Sequence, residues 1–428
     1  MGRLRKHVSA ALLLGATIST GVLLLGTVRV SGARQEQEKE DHEGGTKREK
    51  HLFVWAGDQS RANPDFLAVI NFNEQSNHYG QVIKTVPLSG AGATGNEPHH
   101  VGISNNGKVL AAGGLLSVLK GQPEIFFFDV SDPDETKFLS SVNPPLSSIT
   151  DDFEPLPSGG FLVTMMGGPQ GHAPGRVVEL NDDLKLIGEH PKNPPDHGFN
   201  PHGIALRPEL NLMVTSDFIC PTSTLNAVPG ELDLRGSIRV WDLKRREILR
   251  TVEIPNAGGT IDVKLIPGDS EGRAYTAGML DDNLYLVDTR DGTATPVFDF
   301  GSIAKGGWPQ LMRMTRDGRR LFITMNQAGK VVMFDTSEPS KPRMLSTLDL
   351  GPGAGPHYLR LTHDERRLVI SDYFLNEDSF GKVHAEGDHR IHVAQVRDSS
   401  LTLDPRFQVD FNTAFQSGPA RPHGLAMK

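Results

Sequence analysis

The sequence predicts an all-β protein, a seven-bladed β-propeller closed by pairing its C-terminal strand with N-terminal strands. Three observations carry this. Glycine (46) and proline (29) are abundant among 428 residues, and no long amphipathic helical pattern follows the N-terminus, which suits short strands and tight turns. A strand–turn–strand unit recurs at a spacing of about 50 residues, as four-stranded blades do. Finally, Pro98-His99, Pro201-His202, Pro356-His357 and Pro422-His423 each open such a unit, where chance predicts about one proline–histidine pair.

Taken in order, residues 1–33 stand apart. Arg3, Arg5 and Lys6 precede an apolar stretch from Val8 to about Val28, followed by VRVSGA. This pattern predicts a signal peptide cleaved after Ala33 or, because the apolar core is long, an uncleaved membrane anchor through residues 8–28. Either places the remainder in the periplasm or outside the cell. Residues 34–50 are charged and lack apolar periodicity, the mark of a linker. The propeller then occupies 51–428. The formal charge of −8 becomes about −12 once the leader is removed, and so acidic a body argues against a nucleic-acid partner. Cys220 is the only cysteine, so no internal disulfide forms; in DFICPTST it is expected to be an inert, partly buried thiol.

The units start near His99, Asp152, His202, Ile261, Gln310, His357 and His423. WPQLMRMTRDGRRLFITM matches GPHYLRLTHDERRLVISD almost residue for residue, a hairpin with Asp317-Gly318 at its turn. Third strands share a signature, since EIFFFDVSDP, SIRVWDLKRR, NLYLVDTRDG and KVVMFDTSEP each close an apolar run with Asp. The final unit has only HGLAMK. Its missing strands are HLFVWAG (51–57), DFLAVINF (65–72) and GQVIKTVPL (80–88). Joining them completes a seventh blade and leaves no open sheet edge.

In a propeller the first strand of each blade lines the central channel, and proline is tolerated at its start. The next residue sits at the channel mouth, so the equivalent positions form a ring: His99, Asp152 or Glu154, His202, Ile261 or Asp262, Gln310, His357 and His423. Converging imidazoles suit Fe(II) or copper and leave positions for O2 or substrate. His99, His202, His357 and His423 are therefore the expected metal ligands. His100 should point to the opposite face of an extended strand. Glu154, Asp152 and Asp262 are candidate acceptors for imidazole N–H groups. His384, His389 and His392 fall in a polar insertion expected to be solvated, and His172 in a Gly/Pro-rich rim loop. No serine-nucleophile elbow, P-loop or HExxH motif is present.

PDFLAVINFNEQSNHYGQVIKTVPL followed by EPHHVGIS, then SIRVWDLKRREILRTVEI, GPHYLRLTHDERRLVISDY and the closing LTLDPRFQVDFNTAFQSGPARPHGLAMK carry a resemblance. Over most of residues 50–428 the chain resembles the selenium-binding protein / methanethiol oxidase family. The resemblance implies a seven-bladed propeller and a copper-dependent oxidase that turns methanethiol, O2 and water into formaldehyde, hydrogen sulfide and hydrogen peroxide. It places the family's paired histidines on His99 and His100, its acidic residue on Glu154 and its C-terminal histidine on His423, and gives His100 and Glu154 catalytic roles. The chain departs from the family in two ways. The cysteine segments associated with selenium binding are absent, and His357 stands where the family usually has Gln. The extra imidazoles make the ring similar to the four-histidine, non-haem Fe(II) centre of carotenoid-cleaving dioxygenases.

The leading expectation is thus an exported copper- or iron-dependent oxidase of a small molecule, a thiol, using O2. A lactonase-like hydrolase would instead hold a hard divalent ion on Glu154, Asp262 and Gln310. The third expectation is a non-enzymatic periplasmic propeller that binds a protein or carries a metal.

Overall fold

A computed structural model describes residues 48–195, 198–225, 232–254, 256–377 and 383–428. The leader over 1–33, and the linker up to residue 47, lie outside the described residues, as does the side chain of His384.

Seven antiparallel sheets follow one another along the chain, and their inner strands begin where the repeat predicts. Blade 1 runs from Pro98 to Val142, blade 2 from Ser148 to His190, blade 3 from Pro201 to Glu253 and blade 4 from Thr260 to Asp299. Blade 5 spans Pro309–Asp349 and blade 6 Pro356–Leu403. Blade 7 is composite: Ala420–Met427 is its inner strand, paired antiparallel with His51–Asp58, which continues to Phe66–Asn71 and Val82–Pro87. The polar insertion in blade 6 contains a hairpin, Phe374–Glu377 against Val383–Glu386.

The apolar alternation of the strands is spent between blades. Each neighbouring pair buries one cluster, for example Trp55, Phe126 and Phe128 between blades 7 and 1, or Val54, Leu425, Tyr358 and Val369 between blades 6 and 7. Seven such clusters join seven blades, so the ring has no unpaired face. Burial on both faces is why the middle strands are nearly continuously apolar.

Two local devices shape the channel mouth. First, the ladder of every inner strand shifts register just after its start, between Pro98 and Val101 in blade 1, Thr150 and Phe153 in blade 2, and Pro201 and Ile204 in blade 3. A bulge of this kind re-aims side chains. In four blades the residue before the strand is left-handed, Glu97 (φ 57°), Gly259 (101°), Trp308 (55°) and Gly355 (58°), and in blade 2 the second strand residue, Ile149 (64°), takes that conformation. For β-branched Ile149 this is a strained conformation.

Second, hydroxyls on the second strands latch the ring carbonyls of the following blade. Thr164 donates to the carbonyl of His202, Ser216 to Ile261 (2.8 Å), Thr324 to His357 (3.1 Å) and Ser371 to His423 (2.5 Å). Ser371→Ala strands the buried His423 carbonyl and is expected to cost about 1–3 kcal/mol, measurable as a shift in the urea midpoint.

Candidate metal centre

The bulges bring five imidazoles to one place. His99, His100, His202, His357 and His423 are each no more than 4% exposed. His99 and His100 do not diverge as an extended strand requires. Their rings stack with centroids 4.3 Å apart and 6° between planes, because the extra residue between Pro98 and Val101 turns both inward. His423 packs on His99 at 4.3 Å and on His357 at 5.0 Å. His100 Nε2 lies 3.5 Å from His357 Nε2. The expected ligands His99, His202, His357 and His423 are thus brought together, with His100 added to them.

The carboxylate among them is Asp151, fully buried. Its Oδ2 accepts from His99 Nε2 at 3.1 Å, and its Oδ1 lies 3.0 Å from His100 Nδ1 and 3.1 Å from His202 Nδ1. This corrects the expectation of Asp152 or Glu154 in the ring. Thr150 occupies the place that proline holds in other blades, so the residue after it, Asp151, faces the histidines. The hydroxyl residue in place of proline was the signal that could have set the register.

Glu154 lies farther along the same strand, paired with Leu162, and among the described residues no contact joins it to an imidazole. Its surroundings are Asp152, Lys264, Arg313 and Arg360; burial, then Asp152, pushes its carboxyl up to about 7. Asp152 and Asp262 belong to this charged layer as well, with Lys264 Nζ 2.7 Å from Asp262 and 3.8 Å from Asp152. A cavity with room for about one water, roughly 10 Å³, separates that layer from His100.

Outer partners fix the imidazoles. His357 Nδ1 donates to Gln310 Oε1 at 2.6 Å, which leaves its Nε2 lone pair facing His100. His99 donates through Nε2 to Asp151, which frees Nδ1. Tyr373 packs on His423 at 4.1 Å and donates its hydroxyl to Glu97 (3.2 Å), itself paired with Arg61 and Arg421. Beside the ring, Phe218 meets His202 edge-on at 5.3 Å and joins an apolar cluster of Leu115, Ile149, Met166 and Ile219.

Burial dominates the electrostatics. It lowers His100 to about 4 against the opposing pull of Asp151, and it lowers His202 in the same way. Burial followed by neighbouring imidazoles holds His357 and His423 well below the ordinary histidine range. Burial opposes ionisation of Asp151, but His202, His100 and His99 outweigh it and hold the carboxyl well below its usual value. At neutral pH Asp151 is a carboxylate and His100, His202, His357 and His423 are neutral, the state in which nitrogen lone pairs are free for a metal.

Several of these atoms lack partners. Both nitrogens of His423, His99 Nδ1, His100 Nδ1, His202 Nδ1 and Asp151 Oδ1 are buried without an aligned hydrogen bond. Each such atom costs about 1–3 kcal/mol, and a transition ion would satisfy them together. His99, His100 and His423 can bring donor atoms within 4.8 Å of one another, and so can His99, Asp151 and His202. The residues present fit a transition metal.

Glu124 supports Asp151 from behind. Its buried Oε2 accepts the N–H of strained Ile149 at 3.0 Å, and its carbonyl accepts from Thr150 Oγ1. Burial raises its carboxyl to about 8, so it is neutral at pH 7. Glu124→Gln should therefore stay near wild-type stability, whereas Glu124→Ala should lose about 1–3 kcal/mol in urea unfolding.

Residues 40–428 match the model of the 56 kDa selenium-binding protein family. The chain belongs to that family. A methanethiol oxidase of Hyphomicrobium sp is 26% identical over 72% of each chain. Selenium-binding protein 2 of Mus musculus is 25% identical over 67% of this chain and 66% of its own. Among solved structures, a hypothetical selenium-binding protein from Sulfolobus tokodaii superposes with a TM-score of 0.73 at 18% identity, covering 90% of this chain and 94% of that one. A periplasmic gluconolactonase of Pseudomonas aeruginosa gives 0.60 at 12% identity over 88% and 98%. These two share the propeller fold.

The remaining sites lie elsewhere. His389 pairs with Asp372 (3.1 Å) and His392 with Asp388 (2.9 Å) at the base of the blade 6 hairpin. His172 is exposed. Cys220 is half-buried, its Sγ 3.3 Å from Thr222 Oγ1.

Proposed function

We propose that this protein is an exported, copper-dependent oxidase of a small thiol, of the methanethiol oxidase type. The observation that carries the proposal is the convergence of five buried imidazoles and Asp151 with unpartnered nitrogens. Relatives called methanethiol oxidase support the reaction class, and the basic, apolar leader supports export. Non-haem Fe(II) is the alternative ion for the same donors.

His99, His100 and His423 would hold the ion, with His357 beside His100. Bound copper supplies one-electron chemistry and a place for O2. The chain's own residues do the rest. Gln310 and Asp151 fix which nitrogen of His357 and His99 carries the proton. Burial keeps His100, His202, His357 and His423 unprotonated, with lone pairs available to metal. The apolar cluster of Leu115, Ile149, Met166 and Ile219, with Phe218 against His202, gives the centre an apolar flank. The overall change balances: methanethiol, O2 and water give formaldehyde, hydrogen sulfide and hydrogen peroxide.

The hydrolase alternative is less well served, since Asp262 is engaged by Lys264 and Gln310 by His357. Metal content by mass spectrometry, alongside methanethiol-dependent O2 consumption, tests the proposal. His423→Asn should lower kcat/KM by at least about 100-fold, the top of the range that loss of even an outer partner costs. Full turnover by metal-free protein, or purified protein that takes up neither copper nor iron, would end it.

A further inference from the structure

The donors at the channel mouth outnumber what one ion takes. A tetrahedral site uses four, and a catalytic one keeps a position open, leaving three from the protein. Here five imidazoles and a carboxylate converge, and they fall into two sets. One is His99, His100 and His423, with His357 Nε2 3.5 Å from His100; the other is His99, Asp151 and His202.

The second set admits a plainer explanation, that Asp151 merely orients its histidines through hydrogen bonds. The geometry opposes this for His202 and for the neighbouring His100. Asp151 Oδ1 lies 3.0 Å from His100 Nδ1 and 3.1 Å from His202 Nδ1, close enough for hydrogen bonds. Yet all three atoms are buried without an aligned partner. Asp151 Oδ1 and His202 Nδ1, this near without pointing at one another, are arranged as ligands of a common ion are, each about 2 Å from it, while His100 turns its Nε2 to His357 on the other side. Asp151 is fully buried, His100 1% and His202 3% exposed, so bulk solvent does not reach them.

We propose that the centre is dinuclear, with a second transition ion on Asp151 and His202 beside the one on His423 and His100. His99 belongs to both sets. Its two nitrogens lie on opposite edges of the ring, so it would stand between the two ions and carry the coupling between them. This rests on the proposed metal centre and deepens it.

The test is titration of metal-free protein with Cu(II) alone, with bound copper measured after gel filtration and by electron paramagnetic resonance. Wild type should saturate at two ions per chain, and its signal should rise to half-loading and then fall as paired spins couple. His202→Ala should retain one ion and His423→Ala one, each with an uncoupled spectrum. Saturation at one ion per chain, or a second ion that survives His202→Ala with no spin coupling in wild type, overturns the dinuclear centre and leaves the oxidase proposal standing. Failure to bind any copper overturns the dinuclear centre, and failure to bind iron as well overturns the oxidase proposal. The wild-type stoichiometry and coupling decide the matter even where a variant does not fold.

Discussion

Asp151→Asn is expected to weaken copper binding by about 100-fold while leaving a folded propeller. The substitution keeps the shape of the side chain and removes its charge. In the native protein that charge stands 3.0–3.1 Å from three imidazoles and is shielded from water. At so short a range and in a dry site, a carboxylate contributes more to holding a divalent cation than any exposed acid would. Losing a partner that orients ligating histidines costs 10–100-fold in affinity, and the lost charge puts Asp151 at the upper end. Competition with a copper chelator measures it. Affinity within about threefold of wild type would show that Asp151 neither binds nor orients.

The second large effect is on stability in acid. Metal-free wild type should lose roughly 3 kcal/mol more than metal-free His100→Gln between pH 7 and pH 4. Unfolded histidine titrates near 6.5, whereas burial holds His100 at about 4 in the folded protein. Between those values the unfolded chain takes up a proton that the folded one refuses, so unfolding becomes easier as pH falls. About 2.5 pH units at about 1.4 kcal/mol each sets the size. His202, His357 and His423 act in the same direction. Asp151 adds nothing in this window, because its depressed carboxyl gives up its contribution only below the usual aspartate range. Burial raises Asp65 and Glu154 to about 7, Glu124 to about 8 and Asp372 to about 6, and these carboxyls titrate in the opposite sense. Both proteins contain them, so the difference between the two urea-unfolding curves isolates His100. Parallel pH profiles would refute the burial argument.

The architecture was legible because a propeller writes each blade separately. Asp317-Gly318 marks its turn, the Asp after each third strand closes an apolar run, and the lone strand HGLAMK asks for partners that only residues 51–88 supply. The histidines were legible for the same reason, since Pro98, Pro201, Pro356 and Pro422 fix their register. Two features were hidden. The bulge that stacks His100 on His99 is a backbone irregularity with no residue type of its own. Asp151 was hidden because Thr150 replaces the marker proline, and a shift of one residue exchanges the two faces of a strand. Glu154 drew attention as an acid of the right blade, but it stands in the Lys264–Arg313–Arg360 layer instead.

The manner of closure has a consequence for biogenesis. His423 rides on Ala420–Met427, and that strand pairs with His51–Asp58, more than 360 residues earlier in the sequence. A polypeptide lacking Ala420–Met427 therefore owns four of the five imidazoles yet cannot complete the cluster. The cluster of five imidazoles is therefore completed only when the circle shuts, as the closing act of assembly rather than a step within it.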